Sequence, residues 1–155
     1  MLAFSHCVLV FCGLHLFYSQ ADACSHPYPK IGQSCYLLNY ERVTWNTAYM
    51  RCLSYGGHLA VFETLDELLL MSEDLKKRND RRNFHIGGRN INRHISGGDW
   101  RWIWNGKMIK MNYYSSGPGQ PNGSYAKPQD CLFINSSNVF DVRCDYGNRG
   151  FACEK

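Results

Sequence analysis

The chain has 155 residues, 45% of them hydrophobic, with 17 Lys and Arg against 13 Asp and Glu. That length suits a single domain with its own core, and the net charge of +4 is a mild one that bears on solubility and anionic partners rather than on fold. Internal repeats, low-complexity tracts and Pro-rich linkers are absent, which excludes solenoid and fibrous architectures.

Residues 1–23 contain the apolar run Val8–Phe17 and end in Ala21-Asp22-Ala23, with small residues where a signal peptidase reads. The run is shorter than the roughly 20 apolar residues a membrane span needs, and no second run follows. We therefore expect a cleaved secretory signal, a secreted extracellular domain over 24–155 and no membrane insertion. The leader carries one formal charge, Asp22, so the remainder has 17 basic against 12 acidic residues, a net +5. An extracellular address also argues against nucleic acid as a partner. Six cysteines stay with the domain: Cys24, Cys35, Cys52, Cys131, Cys144 and Cys153. An even count behind a secretory signal reads as a disulfide framework, although the count alone leaves the pairing open.

Two helices are legible. The first opens at Thr44, a good N-cap, and places Trp45, Ala48, Tyr49, Cys52 and Leu53 on one apolar stripe before Gly56-Gly57 ends it. The second begins at Thr64 with Glu67 three residues on, a capping box. Leu65, Leu68, Leu69 and Leu75 are its expected buried face, and Lys76, Lys77 and Arg78 suit its C-terminal dipole. Short strands are expected at 34–38, 58–62, 83–87, 100–104, 131–134, 139–144 and 150–154. Residues 88–99 and 105–130 are rich in Gly, Asn, Ser and Pro and read as long loops, which tend to carry function.

Trp100, Trp102 and Trp104 alternate, so they are expected to share one strand face in the core. Tyr113 and Tyr114 are the better candidates for stacking on a ligand. Lys76, Lys77, Arg78, Arg81 and Arg82 form a basic run around one acid, Asp80, which is either a solvated helix end or a docking patch for anionic surfaces. His26, His58, His85 and His94 are scattered, and no nucleophile, phosphate-loop or zinc spacing accompanies them. The chain reads as a binding module, not an enzyme.

Several stretches resemble a known family in order. Trp45-x-x-Ala48-x-x-x-Cys52 resembles its first-helix motif, and Gly57-His58-Leu59-Ala60 the strand after it. Phe84-His85-Ile86-Gly87-Gly88 stands where the family has Trp-Ile-Gly-Leu. Trp102-x-Trp104-Asn105-Gly106, Gln120-Pro121-Asn122, Asp141-Val142-Arg143-Cys144 and Gly150-Phe151-Ala152-Cys153-Glu154-Lys155 complete the set. The chain resembles a long-form C-type lectin-like domain over essentially all of 24–155. The resemblance implies an α+β fold, two helices on antiparallel strands with a long loop region. It also implies three disulfides, Cys24–Cys35, Cys52–Cys153 and Cys131–Cys144.

In that family a calcium ion, held by the loop tripeptide and by acids nearby, binds vicinal sugar hydroxyls. The resemblance makes Gln120, Asn122 and Asp141 the expected sugar and metal contacts, with Gln129 a further metal ligand. Two positions depart from the pattern: Gln129 stands where Glu is usual, and Phe140 where Asn is usual. One sure carboxylate implies weak calcium affinity, about millimolar or worse. The leading Gln120 tilts the expected sugar toward galactose. Asn122-Gly123-Ser124 and Asn135-Ser136-Ser137 are N-glycosylation sequons. The implied function is recognition of glycans or glycoproteins, calcium-assisted through this loop, with a role in innate recognition. The alternative is a calcium-independent module that binds protein, anionic glycan or mineral matrix.

Overall fold

The computed structural model describes residues 24–111, 119–136 and 138–155; the leader 1–23 and the Tyr113-Tyr114 pair lie outside the described residues. The elements are β1 (Lys30–Ile31), β2 (Ser34–Val43), α1 (Trp45–Ser54), β3 (His58–Leu59), α2 (Leu65–Lys77), β4 (Phe84–Asn90), β5 (Trp100–Trp102), β6 (Cys131–Ile134), β7 (Val139–Val142) and β8 (Arg149–Glu154). The sheet runs β1-β2-β8-β4-β6-β7, with β3 beside β8 and β5 beside β4. The pairs are antiparallel except β4 with β8, which run parallel through Phe84–Gly150 and His85–Phe151. The C-terminal strand thus lies in the middle of the sheet, between β2 and β4.

Both helix starts follow their caps. Thr44 Oγ1 accepts from Thr47 N at 3.3 Å. Thr64 Oγ1 accepts from Glu67 N at 3.3 Å, while Thr64 N donates back to Glu67 Oε2 at 3.2 Å. These bonds satisfy amides that a helix start otherwise leaves unpaired. α1 buries Trp45, Ala48 and Cys52 in one core cluster with Leu59, Phe151 and Cys153. Trp45 Nε1 donates to the Ile86 carbonyl at 2.7 Å, which fixes the helix over β4. α2 packs Leu68, Met71 and Leu75 into the second cluster, with Phe62, Phe84, Ile86, Trp102 and Leu132.

The structure corrects several sequence expectations. Leu65 and Leu69 are exposed, Leu69 at 55%. The buried stripe is Leu68, Met71, Ser72 and Leu75, and Leu69 falls about 110° from its centre at 3.6 residues per turn. Leu53 at the end of α1 is also exposed. β5 stops at Trp102, so Trp104 leaves the strand face and is 58% exposed, its ring 4.4 Å from that of His58. Trp100 and Trp102 remain buried. The loop after β5 is not wholly irregular. Trp102 N donates to Lys107 O at 2.9 Å and Ile109 N to Trp100 O at 2.8 Å, which brings Ile109 back into the core.

The disulfides are those the resemblance implied: Cys24–Cys35, Cys52–Cys153 and Cys131–Cys144. Cys52–Cys153 joins α1 to the central strand, and Cys131–Cys144 closes the β6–β7 hairpin beside the loops.

His85 on β4 is fully buried, and its Nε2–H donates to the Val43 carbonyl at 3.2 Å. Burial, and next the Arg149 charge, push its pKa down to about 4. Its folded pKa lies below the unfolded value of about 6.5, so its stabilisation is complete above that value and is lost as pH falls toward 4. Glu154 opposes this, because burial raises its pKa to about 6 and its contribution is lost as pH rises through that value. The difference in unfolding free energy between wild type and His85→Gln isolates the histidine. We expect that difference to shrink by about 3 kcal/mol from pH 7 to pH 4 in urea titrations. A difference independent of pH contradicts the assignment.

Candidate functional site

The loop face lies past the ends of β4, β6 and β7. Asp141 is on β7, opposite Leu132 of β6, and is 4% exposed. Its carboxylate accepts from the backbone of the tripeptide loop. Asn122 N lies 3.1 Å from Oδ1 and 3.0 Å from Oδ2, and Gly123 N lies 2.7 Å from Oδ2. Amide hydrogen bonds to a buried carboxylate are among the stronger neutral-to-ion contacts, so Asp141 acts as a clamp on the loop backbone. Gly123 permits this approach. A Cβ there would lie 2.8 Å from both the Cβ and the N of Gln129, and 3.1 Å from Asp141 Oδ2. Sequence reasoning passed over Gly123, whose only visible signal was its place in a sequon.

Asn122 is exposed, and its Oδ1 accepts from Gln129 Nε2 at 2.5 Å. Among the described residues this leaves Asn122 Nδ2 and a second N–H of Gln129 Nε2 as donors and Gln129 Oε1 as an acceptor. The Gln120–Pro121 peptide is cis. Gln120 Oε1 is buried, with no hydrogen-bond partner among the described residues. Hydrogen bonds therefore join Asn122, Gln129 and Asp141 directly, and Gln120 adjoins them through the chain. Phe140 faces elsewhere. Its ring lies 5.2 Å from that of Phe133 and nearly parallel to it, and the Arg149 guanidinium lies 4.0 Å from the Phe133 centroid. Asp130, by contrast, lines the same pocket as Gln129 and Asp141, where it pairs with Arg93 and accepts from Asn90 Nδ2 at 3.3 Å.

These donors do not fit a calcium ion. Calcium takes about six to eight oxygens and gains affinity from carboxylates. The Asp141 carboxylate engages backbone amides with both oxygens, and that of Asp130 is taken by Arg93 and Asn90. The Asn122 oxygen accepts from Gln129, and Phe140 supplies none. Gln120 Oε1 is the buried oxygen still in want of a donor. Among the described residues, no three His, Cys, Asp or Glu side chains gather as a metal-binding group.

The basic run at the end of α2 is largely neutralised. Lys77 pairs with Glu73 at 3.0 Å, Arg78 with Asp74 at 2.6 Å and Arg82 with Asp80 at 2.8 Å. The Arg82 guanidinium also lies 3.7 Å from the Tyr40 ring centroid. Lys76 and Arg81 keep no carboxylate partner among the described residues. Of the two sequons, Asn122 carries the bond to Gln129, and Asn135 Oδ1 accepts from Asn138 N at 2.9 Å.

Two helices on a disulfide-pinned sheet, with one clamped loop face, define a recognition domain. The family model described as Lectin C-type domain matches residues 41–155, and the chain belongs to this C-type lectin family. It is 27% identical over 139 residues to mouse C-type lectin domain family 4 member G, covering 88% of this chain and 44% of that protein. It is 31% identical over 129 residues to lactose-binding lectin l-2 of Anguilla japonica, covering 79% and 73%. Human lithostathine has the same fold, with a TM-score of 0.68 at 27% identity over 87% of this chain and 92% of that one. Over the first curated relatives the chain spans less than two thirds of their length.

Proposed function

We propose that this chain is an extracellular carbohydrate-binding protein whose neutral-sugar site is the Asn122–Gln129 amide pair, working without calcium. The hydrogen bond between the two side chains carries the reading. It leaves Asn122 Nδ2 and the second N–H of Gln129 Nε2 as donors, and Gln129 Oε1 as an acceptor, for a ligand. A sugar hydroxyl both donates and accepts, so the hydroxyls of one sugar can satisfy donors and acceptor alike. The Asp141 clamp holds the loop in this shape before a ligand arrives, which lowers the ordering cost of binding. Tyr125, 70% exposed with its ring 5.2 Å from that of His94, shares a pocket of about 200 Å³ with Gln129 and Asp141 and offers an aromatic face for the sugar.

A galactoside such as lactose is the sugar we favour. Similarity to a lectin named for lactose binding supports it. Three disulfides support a secreted location. Asn122 must be unmodified for this site to work, since a glycan on its Nδ2 replaces one N–H and covers the pair. In calorimetry with lactose, we expect Asn122→Ala to weaken binding by about tenfold or more while the melting temperature holds, since losing the pair removes a net hydrogen bond or two. Equal affinity in wild type and Asn122→Ala overturns the assignment.

A further inference from the structure

Besides Lys76 and Arg81, cations without a carboxylate partner among the described residues occur away from the basic run, at positions far apart in the sequence. A groove of about 910 Å³ runs past Asn46, Gln129 and Tyr146, and four cations line it: Arg89, Arg93, Lys127 and Arg143. Two are matched, Arg93 by Asp130 and Arg143 by Asp145. Arg89 and Lys127 have no carboxylate partner among the described residues. Arg89 projects from β4, half-buried, with its guanidinium 5.3 Å from the Trp45 ring centroid. Lys127 sits in the turn where Ser124 N donates to Lys127 O at 3.0 Å and Lys127 N to Ser124 O at 3.2 Å.

We propose that this groove is an anionic subsite that takes the sulfate or carboxylate of an acidic saccharide. A guanidinium laid on an indole is oriented in advance and keeps its N–H edge for an oxyanion. An ammonium on an exposed turn adds a second, adjustable positive charge. The volume falls in the range of small-ligand sites, roughly 300–1,000 Å³. Gln129 lines this groove and also the pocket that holds Asp141 and Tyr125. A saccharide bound at Gln129 can therefore extend from that pocket into the groove that Arg89 and Lys127 line. The continuity of the two sites rests on the neutral-site reading above, whereas the anion contacts do not.

The test compares lactose, sulfated lactose and sialyllactose on the intact chain, with each affinity taken as a ratio to that for lactose. At low salt, at least one acidic form binds about tenfold tighter than lactose, the sum of two partly exposed ion contacts. A larger gain for sulfated lactose identifies sulfate as the recognised group, and a larger gain for sialyllactose identifies carboxylate. The gain collapses at about 0.5 M salt, where screening is strong. In the double variant Arg89→Gln, Lys127→Gln the ratio falls below about twofold, and in Lys76→Gln, Arg81→Gln it stays as in wild type. Lys127→Gln alone, at an exposed turn, tests the idea even if the Arg89 change perturbs the fold, and it loses about threefold of the gain. An acidic sugar that never outbinds lactose overturns the proposal, as does a gain that survives removal of Arg89 and Lys127. If lactose does not bind but an acidic form does, with loss in the double variant, the neutral-site reading falls and the anionic subsite stands.

Discussion

Replacing Cys52 and Cys153 together by alanine lowers the unfolding free energy by about 4 to 5 kcal/mol, the value for a closed loop of about 100 residues in the chain-entropy description. The two residues are 101 positions apart, fully buried, and link α1 to the strand at the centre of the sheet. Without the bridge, the unfolded chain regains the freedom of nearly the whole domain. The melting temperature should fall by about 15 °C or more for a domain of this size. Cys24–Cys35 closes a separation of 11 at the N-terminal edge, and its removal should cost about 3 kcal/mol or less. Thermal unfolding of the two double variants without reductant checks the order. Equal losses, or a larger loss at Cys24–Cys35, contradict the assignment of Cys52–Cys153 as the principal tie.

The second large effect is on binding. Asp141→Ala removes the acceptor that holds the Asn122 and Gly123 amides. Those amides lie near the surface and water can satisfy them, so the stability loss is moderate, about 2 kcal/mol. The loop then samples other shapes, and affinity falls by the fraction of time it spends in the clamped one. We expect lactose affinity to drop by at least about tenfold, with Asp141→Asn intermediate because it retains one acceptor oxygen. Calorimetry on folded variants measures this directly. Unchanged affinity in Asp141→Ala means that the clamp does not shape the site.

Much of the scaffold was legible because its signals are local. Thr44 and Thr64 with Glu67 mark helix starts through bonds made within one turn. The apolar run Cys131–Ile134 marks a buried strand whose bounds match. The misreadings have physical reasons. β2 runs to Val43 rather than Leu38 because a register shift between Asn39 and Val43 breaks the alternation while pairing with β8 continues. Trp104 follows the period of Trp100 and Trp102, yet the strand ends in a turn before reaching it. The α2 face was misjudged because Leu65 and Leu69 are apolar by type but lie off the stripe completed by Met71 and Ser72.

The site was harder to read. Its residue types are visible in the chain, but Asp141 acts on backbone amides, and backbone partners leave no mark in the sequence. Gln129 read from the sequence as a weakened metal ligand, and its hydrogen bond to Asn122 is visible only in the folded chain. The basic run 76–82 drew attention by its density, but Glu73, Asp74 and Asp80 neutralise most of it. Arg89 and Lys127 are 38 positions apart and meet only after folding, so no window along the chain could show them together.

A calorimetric titration of lactose, in excess calcium and again in excess chelator, goes to the centre of the proposed function. With an amide pair as the sugar site, the two dissociation constants agree within about twofold, since no metal oxygen bond enters the contact. Binding that chelator abolishes and calcium restores contradicts it, and assigns Gln120, Asn122, Gln129 and Asp141 to a metal instead.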